Sequence, residues 1–311
     1  MNKPDFRFRL QFEVEEQNIL LREFLHSKGI SKRTLTALKY EGGALQVNGT
    51  ERTVRHPLVS GDRVTVVFPE ERPSEGLRPE DGALSVIYED EALLILDKPA
   101  NRSTIPSRDH PDGSLANWVA GKFKKEGVPA TVHIVTRLDR DTSGLLCIAK
   151  NRHIHHLLSE QFKVRGIYRN YLAIAEGHLP SGRFTIEQPI GRKEGSIIER
   201  EVREDGKYAR TDVELLSHHR VNGEELSFIS LVLHTGRTHQ IRVHLQWSGH
   251  PLAGDDLYGG ARKLIERQAL HCGVLGFVHP LTGEEMMFRS EIPADMLQLI
   301  SKDHGVISRK L

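Results

Sequence analysis

Apolar positions follow two different rhythms along the chain. Near the N-terminus Leu20, Leu21, Phe24 and Leu25 recur at helical spacing, with Gly29 just beyond them, and predict a short helix over Ile19 to His26. Ser31 is placed to cap a second helix that carries Leu35 and Leu38 and stops at Gly42. Leu45 to Val47 then reads as a strand, Asn48-Gly49 and Gly61-Asp62 as turns, and Arg63 to Phe68 as a further strand. These elements make a small α/β module over residues 12–68. From Pro69 to Gly82 proline, glycine and acids displace apolar residues, so 69–83 reads as an interdomain linker.

Beyond the linker strands dominate. Leu84 to Tyr88, Leu93 to Leu96, Leu145 to Ala149 and Ile167 to Ala175 have strand character, and Arg169, Tyr171 and Ala173 share one face of the last. Arg210 to Ser217 and Glu225 to His234 flank Asn222-Gly223, an antiparallel hairpin signal. Helices are expected after Ser114, after Asn151 as far as Phe162, after Thr238 as far as Gly249, and over Ala294 to Ile300. On the helix after Thr238, His239, Arg242 and Gln246 share a face while Ile241 and Leu245 point elsewhere to pack. The expected fold class is α+β, with a mostly antiparallel mixed sheet over residues 84–305.

A length of 311 residues accommodates two domains. The net charge of +1 means that a polyanionic partner must be met by local patches. Two such patches stand out. Lys28, Lys32, Arg33 and Lys39 lie in a run without acids, and Lys163, Arg165 and Arg169 form another. The alternative is that these cations merely solvate helix faces. The two cysteines, Cys147 and Cys272, are far apart and fit a reducing compartment. Met1 to Leu10 does not read as a signal peptide, and no apolar run reaches membrane-spanning length. A cytoplasmic protein with no membrane association is expected. The chain has seventeen histidines, but neither His153-x-His155-His156 nor His218-His219 has zinc-site spacing, so no metal is expected.

The chemically richest stretch is Val135 to Leu146. It places Arg137, Asp139, Arg140, Asp141, Thr142 and Ser143 between apolar residues, with Thr142-Ser143-Gly144 reading as a turn before a buried strand. Isolated, such a pair of aspartates is most simply a salt-bridged turn, and Asp141 is assigned a turn-stabilising role. The Asp139-x-Asp141 pair, with Gly254-Asp255-Asp256, also mimics the DxDxT motif of magnesium-dependent phosphotransferases. That motif needs an apolar strand leading into its first aspartate, and Thr136-Arg137 interrupts one here.

Two resemblances decide among these readings. Leu21-Arg22-x-x-Leu25, Ser31-Lys32-Arg33, Val47-Asn48-Gly49 and Val59-x-Gly61-Asp62-x-Val64 resemble the S4 RNA-binding domain, which implies RNA contacts at Lys32, Arg33 and Lys39. Arg137-Leu138-Asp139-x-x-Thr142-Ser143-Gly144-Leu145 resembles the signature of the RluA-type pseudouridine synthases. So do Asp90-Glu91-x-Leu93-Leu94 with Asp97-Lys98-Pro99, Tyr171-Leu172-Ala173, Gly236-Arg237-Thr238-His239-Gln240-Ile241-Arg242, the Gly249 to Gly259 loop and His279-Pro280. Two positions depart from the pattern: Thr136 stands where histidine is usual, and Ala100-Asn101-Arg102 stands where a glycine is usual.

The resemblance implies isomerisation of uridine in RNA to pseudouridine, without cofactor or metal. The expected partner is large-subunit ribosomal RNA, with transfer RNA as the alternative, and the expected state is a monomer. It makes Asp139 the essential carboxylate, acting as a nucleophile on C1′ or as a base at C2′; the sequence leaves both open. Arg242 is its cationic neighbour, and Tyr171 lies against the uracil ring, available for stacking and for removing the C5 proton. Base flipping is expected, with Arg137, Arg140 and Arg169 as further RNA contacts. A non-catalytic RNA-binding protein is the remaining alternative, and the joint presence of Asp139, Tyr171 and Arg242 argues against it.

Overall fold

The computed structural model describes residues 7–128, 130–164 and 166–300. Arg165, part of the second basic run, lies outside them, as do residues 301–305 of the expected catalytic segment.

The N-terminal module comprises β1 (Arg9–Glu13), β2 (Ile19–Leu20), α1 (Leu21–Ser27), α2 (Lys32–Tyr40), β3 (Ala44–Val47), β4 (Thr50–Glu51), β5 (Pro57–Leu58) and β6 (Arg63–Val67). Four of these strands form an antiparallel sheet in the order β1-β6-β3-β4. Leu21, Phe24, Leu25, Leu38, Val64 and Val66 make a small core of their own. Ser31 caps α2 as expected, its hydroxyl accepting from the Thr34 N–H. The first helix starts later than the apolar spacing predicts, because Ile19 and Leu20 pair with Pro57 and Leu58 as a short strand.

Residues 69–83 carry no regular element, yet they are not a free tether. The Glu71 carboxylate meets His133 Nε2 at 2.6 Å and the Arg152 N–H at 2.5 Å. Glu80 accepts from the Gly113 N–H, and the Arg78 carbonyl accepts from Asn117 Nδ2. Composition alone could not reveal this strapping, since each anchor lies far away in sequence. Phe68 also stacks on His153, with ring centroids 4.8 Å apart.

The larger segment comprises β7 (Ser85–Glu89), β8 (Leu93–Lys98), α3 (Leu115–Lys125), β9 (His133–Ile134), β10 (Ser143–Ala149), α4 (Arg152–Val164), β11 (Tyr168–Glu176) and β12 (Arg183–Glu187). It continues with β13 (Ile190–Arg192), β14 (Arg200–Val202), β15 (Arg210–Val221), β16 (Glu224–Leu233), α5 (Gln240–Trp247), β17 (Leu270–Val278), β18 (Glu285–Arg289) and α6 (Ala294–Ile300). A ten-stranded sheet runs in the order β12-β15-β16-β11-β17-β10-β8-β7, with β18 and β9 added at β17 and β10. Its pairings are antiparallel except for β10 with β17, which is parallel. The fold is therefore α+β around a mostly antiparallel sheet.

Both faces of the sheet are buried. Tyr171 and Ala173 face one core with Leu145, Leu231 and Ile241, while Leu172 and Ile174 face another with Phe228, Met296 and Ile300. The expected caps at Ser114 and Asn151 are present, and Asn222 and Gly223, both at positive φ, close the β15–β16 hairpin.

Two local expectations change. Ser143 and Gly144 belong to β10 rather than to a turn. Gly144 sits at φ +109° against the Cys272 backbone, which a side chain would strike. Helix α5 begins at Gln240, and its N-cap is His239 in the left-handed region at φ +57°, not Thr238.

Candidate active site

The stretch Leu138 to Thr142 lies between β9 and β10, where neighbours grip its backbone. Thr104 Oγ1 donates to the Leu138 carbonyl at 2.7 Å and accepts from the Leu138 N–H at 3.2 Å. Lys98, at the end of β8 and 1% exposed, donates through Nζ to the carbonyls of Pro99, Arg102 and Arg140 at 2.9, 2.7 and 2.9 Å. Burial pushes its amine down to about 7, against the attraction of Asp141 and Asp139. Arg267 Nη1 donates to the Asp141 carbonyl. The turn closes through the Thr142 N–H on the Asp139 carbonyl. The Asp141 carboxylate lies 3.9 Å from the Arg140 guanidinium, while the hydrogen bonds that hold the turn run to its main chain.

This grip presents the Asp139 side chain, 29% exposed, to α5. Arg242 Nη1 donates to Asp139 Oδ2 at 3.1 Å. The other side of the guanidinium is held by Asp255, whose side chain is fully buried, with Nε to Oδ2 at 2.7 Å and Nη2 to Oδ1 at 2.8 Å. The guanidinium also lies 4.8 Å from the Tyr258 ring centroid. Burial works against the arginine's charge, but Asp255 and Asp139 hold its pKa above the ordinary arginine value. The result is a permanent cation fixed against one carboxylate oxygen.

Asp255 was legible only as a mimic of a magnesium-binding acid. The fold instead gives Asp255 to Arg242 and Asp256 to Arg262. Among the described residues no three His, Cys, Asp or Glu side chains gather as a metal-binding group.

A family model described as RNA pseudouridylate synthase matches residues 92–247. An uncharacterised RNA pseudouridine synthase of Bacillus subtilis, YjbO, is 47% identical over 286 residues, covering 91% of this chain and 99% of the relative. The chain belongs to the RNA pseudouridine synthase family. Ribosomal large subunit pseudouridine synthase D of Escherichia coli K12 is 34% identical over 260 residues, 79% of this chain and 78% of that protein. The structure of human RNA pseudouridylate synthase domain containing 1 superimposes with a TM-score of 0.57 at 29% identity, covering 68% of this chain and 86% of that one. The RluA-type resemblance therefore holds, and the chain is an isomerase that converts uridine in RNA to pseudouridine.

Within this synthase Tyr171 is 6% exposed and packs into the core with Leu145, Leu231 and Ile241. Burial, with Cys272 and Asp139 beside it, pushes the phenol pKa well above 10. A phenol held protonated in this way is a poor base. Both cysteines are free and buried, and burial pushes the Cys272 thiol up to about 12.

The predicted RNA contacts divide into two groups. Lys32, Arg33 and Lys39 are exposed on α2, and Arg137 and Arg140 are exposed on either side of Asp139. Arg33 also lines a cleft of about 1870 Å3 between the N-terminal module and α4, together with Arg72, Arg152 and Lys163. Arg169 differs: it is half-buried and donates to the Thr235 carbonyl, tying β11 to the turn before α5.

Both departures from the family pattern have a structural account. Thr136 Oγ1 accepts from the Cys147 N–H at 2.9 Å, and the Thr136 N–H bonds the Cys147 carbonyl, so the strand before the loop is anchored without histidine. Asn101 sits at φ +59°, a conformation that glycine adopts freely and asparagine tolerates, and its Oδ1 accepts from Arg140 Nη2.

Proposed function

We propose that this pseudouridine synthase modifies large-subunit ribosomal RNA and that Asp139 is its essential carboxylate. The observation that carries the second part is the Asp255–Arg242–Asp139 array. A guanidinium locked from behind by a buried carboxylate holds one oxygen of Asp139 in place while its side chain stays open to a substrate. Such a carboxylate suits attack at C1′ or removal of the C2′ proton, and Arg242 steadies its charge through either course.

Reaching N1 of a paired uridine requires flipping the nucleotide out, at about a few kcal/mol. Arg137 and Arg140, exposed beside Asp139, are placed to hold the displaced strand. Tyr171 contacts the uracil ring from the protein side. The N-terminal module, with the motif order of an S4 domain, supplies a separate RNA-binding surface on α2. A single chain holds all these groups, which supports a monomeric enzyme.

The ribosomal assignment draws on relatives named ribosomal large subunit pseudouridine synthase D. Pseudouridine mapping of total RNA from strains with and without the gene tests it. Loss of one or more sites in large-subunit rRNA is expected. Loss confined to tRNA would redirect the assignment.

A further inference from the structure

Three independent features single out His239. It occupies the left-handed region at φ +57°, a conformation unusual for a residue other than glycine. Its Nε2 stands 3.9 Å from Asp139 Oδ2, the same oxygen that Arg242 binds. Its Nδ1 lies 2.8 Å from the Tyr258 hydroxyl, which also accepts the Arg200 N–H of β14 at 2.9 Å.

These contacts favour one tautomer of the ring. The Tyr258 oxygen accepts the Arg200 N–H, its O–H can donate to His239 Nδ1, and the Asp139 carboxylate on the other side favours the proton on Nε2. The opposite tautomer would aim a lone pair at a carboxylate. Burial keeps the ring neutral near pH 7, against the attraction of Asp139 and with Arg242 and Arg200 adding to the effect. A relay thus runs from the β14 backbone through Tyr258 and His239 toward Asp139. It is open only at its last gap, which is longer than a hydrogen bond.

We propose that His239 is a second positioning residue for Asp139, its Nε2–H closing on Oδ2 beside Arg242 when RNA engages, so that Oδ1 alone is presented to the ribose. This rests on the reading of Asp139 as the essential carboxylate. Both anchors address Oδ2, so the reacting oxygen is the one left without a side-chain partner in the site. The left-handed turn at His239 is what brings an N-cap side chain back over the loop.

Two amides separate this role from a purely conformational one. Asparagine tolerates the left-handed region better than glutamine does, but its side chain is one methylene shorter and falls short of Oδ2. The full-length protein is assayed by tritium release from total RNA labelled at uridine C5, taken from a strain lacking the gene. His239→Asn is expected to lower kcat by about 10- to 100-fold with KM changed less than about 3-fold, the size of a lost hydrogen bond to a charged group. His239→Gln is expected to recover most of that loss. Tyr258→Phe, which frees the tautomer, is expected to cost several-fold in the wild-type background and nothing further in His239→Gln, since an amide has no tautomer to fix.

Turnover ordered Asn above Gln would show that only the backbone conformation matters and would overturn the proposal. So would wild-type turnover in both variants, or an equal Tyr258→Phe penalty in both backgrounds. Asp139→Asn assayed alongside separates the two levels. If it turns over normally, the reading of Asp139 fails. If it is inactive while the His239 variants are normal, only the role of His239 fails.

Discussion

Asp255 carries the most specific energetic consequence of the site. It makes two hydrogen bonds to Arg242, at 2.7 and 2.8 Å, and the two side chains are 0% and 8% exposed. Asp255→Asn keeps the shape and one acceptor oxygen but removes the charge that balances a buried guanidinium. Removing one partner of a buried pair costs about 3–5 kcal/mol. The retained acceptor argues for the lower end, about 3 kcal/mol, which in a segment of this size lowers Tm by roughly 6–12 °C. Arg242 would then swing from its place on Asp139 Oδ2, and loss of that charge-assisted bond lowers kcat by about 10- to 100-fold. Thermal unfolding and single-turnover tritium release measure the two effects. Asp256→Asn is the control: its neighbouring carboxylate, 60% exposed, pairs only with Arg262 and contributes under about 1 kcal/mol. Equal Tm values for the two variants, or wild-type turnover in Asp255→Asn, would refute the claim that Asp255 holds the arginine in place.

Four further outcomes follow from the loop, the core and the donor set. Lys98→Met strands the Pro99 and Arg102 carbonyls, at about 1 kcal/mol or more each; it should lower turnover and speed hydrogen exchange at the Arg102 amide, which bonds the Arg140 carbonyl. Thr104→Val removes both bonds to Leu138 and should lower kcat, while Thr104→Ser restores it. Asp90, bound to Tyr88, His279 and the N–H groups of Ala92 and Leu93, has its pKa held below the usual 3.8 by those hydrogen bonds, although burial pushes it up. Its contribution to stability is therefore complete above about pH 4 and lost as pH falls through the lowered value, so the Tm gap between wild type and Asp90→Asn should narrow in that range. Turnover should be unchanged by EDTA, whereas a magnesium-dependent reaction would stop.

The parts of this molecule legible in the sequence are those set by near neighbours. Asn151 three residues before Ile154, Ser31 before Thr34, and Asn222-Gly223 between two strand patterns each act within a few residues, and each is where it was expected. The pairing of Asp139 with Arg242 spans 103 residues, and the ordered family motifs anticipated it where no local rule could. What escaped was the support behind that pair. Asp255 looks like one of several loop acids until the fold buries it against Arg242. Thr238 looks a better N-cap than His239 because helix-capping preferences ignore the Tyr258 contact that holds His239 in its left-handed turn. The strap over 69–83 has a linker's composition, and its long-range contacts, such as those of Glu71 and Glu80 with His133, Arg152 and Gly113, reveal what it holds.

The central claim is that the Asp139 carboxylate performs the isomerisation while the rest of the chain positions it. The most direct measurement is single-turnover pseudouridine formation by Asp139→Asn, with RNA affinity measured on the same preparation. RNA binding close to wild type with no detectable pseudouridine is expected; pseudouridine formed at a rate near that of the wild type would remove Asp139 from the reaction.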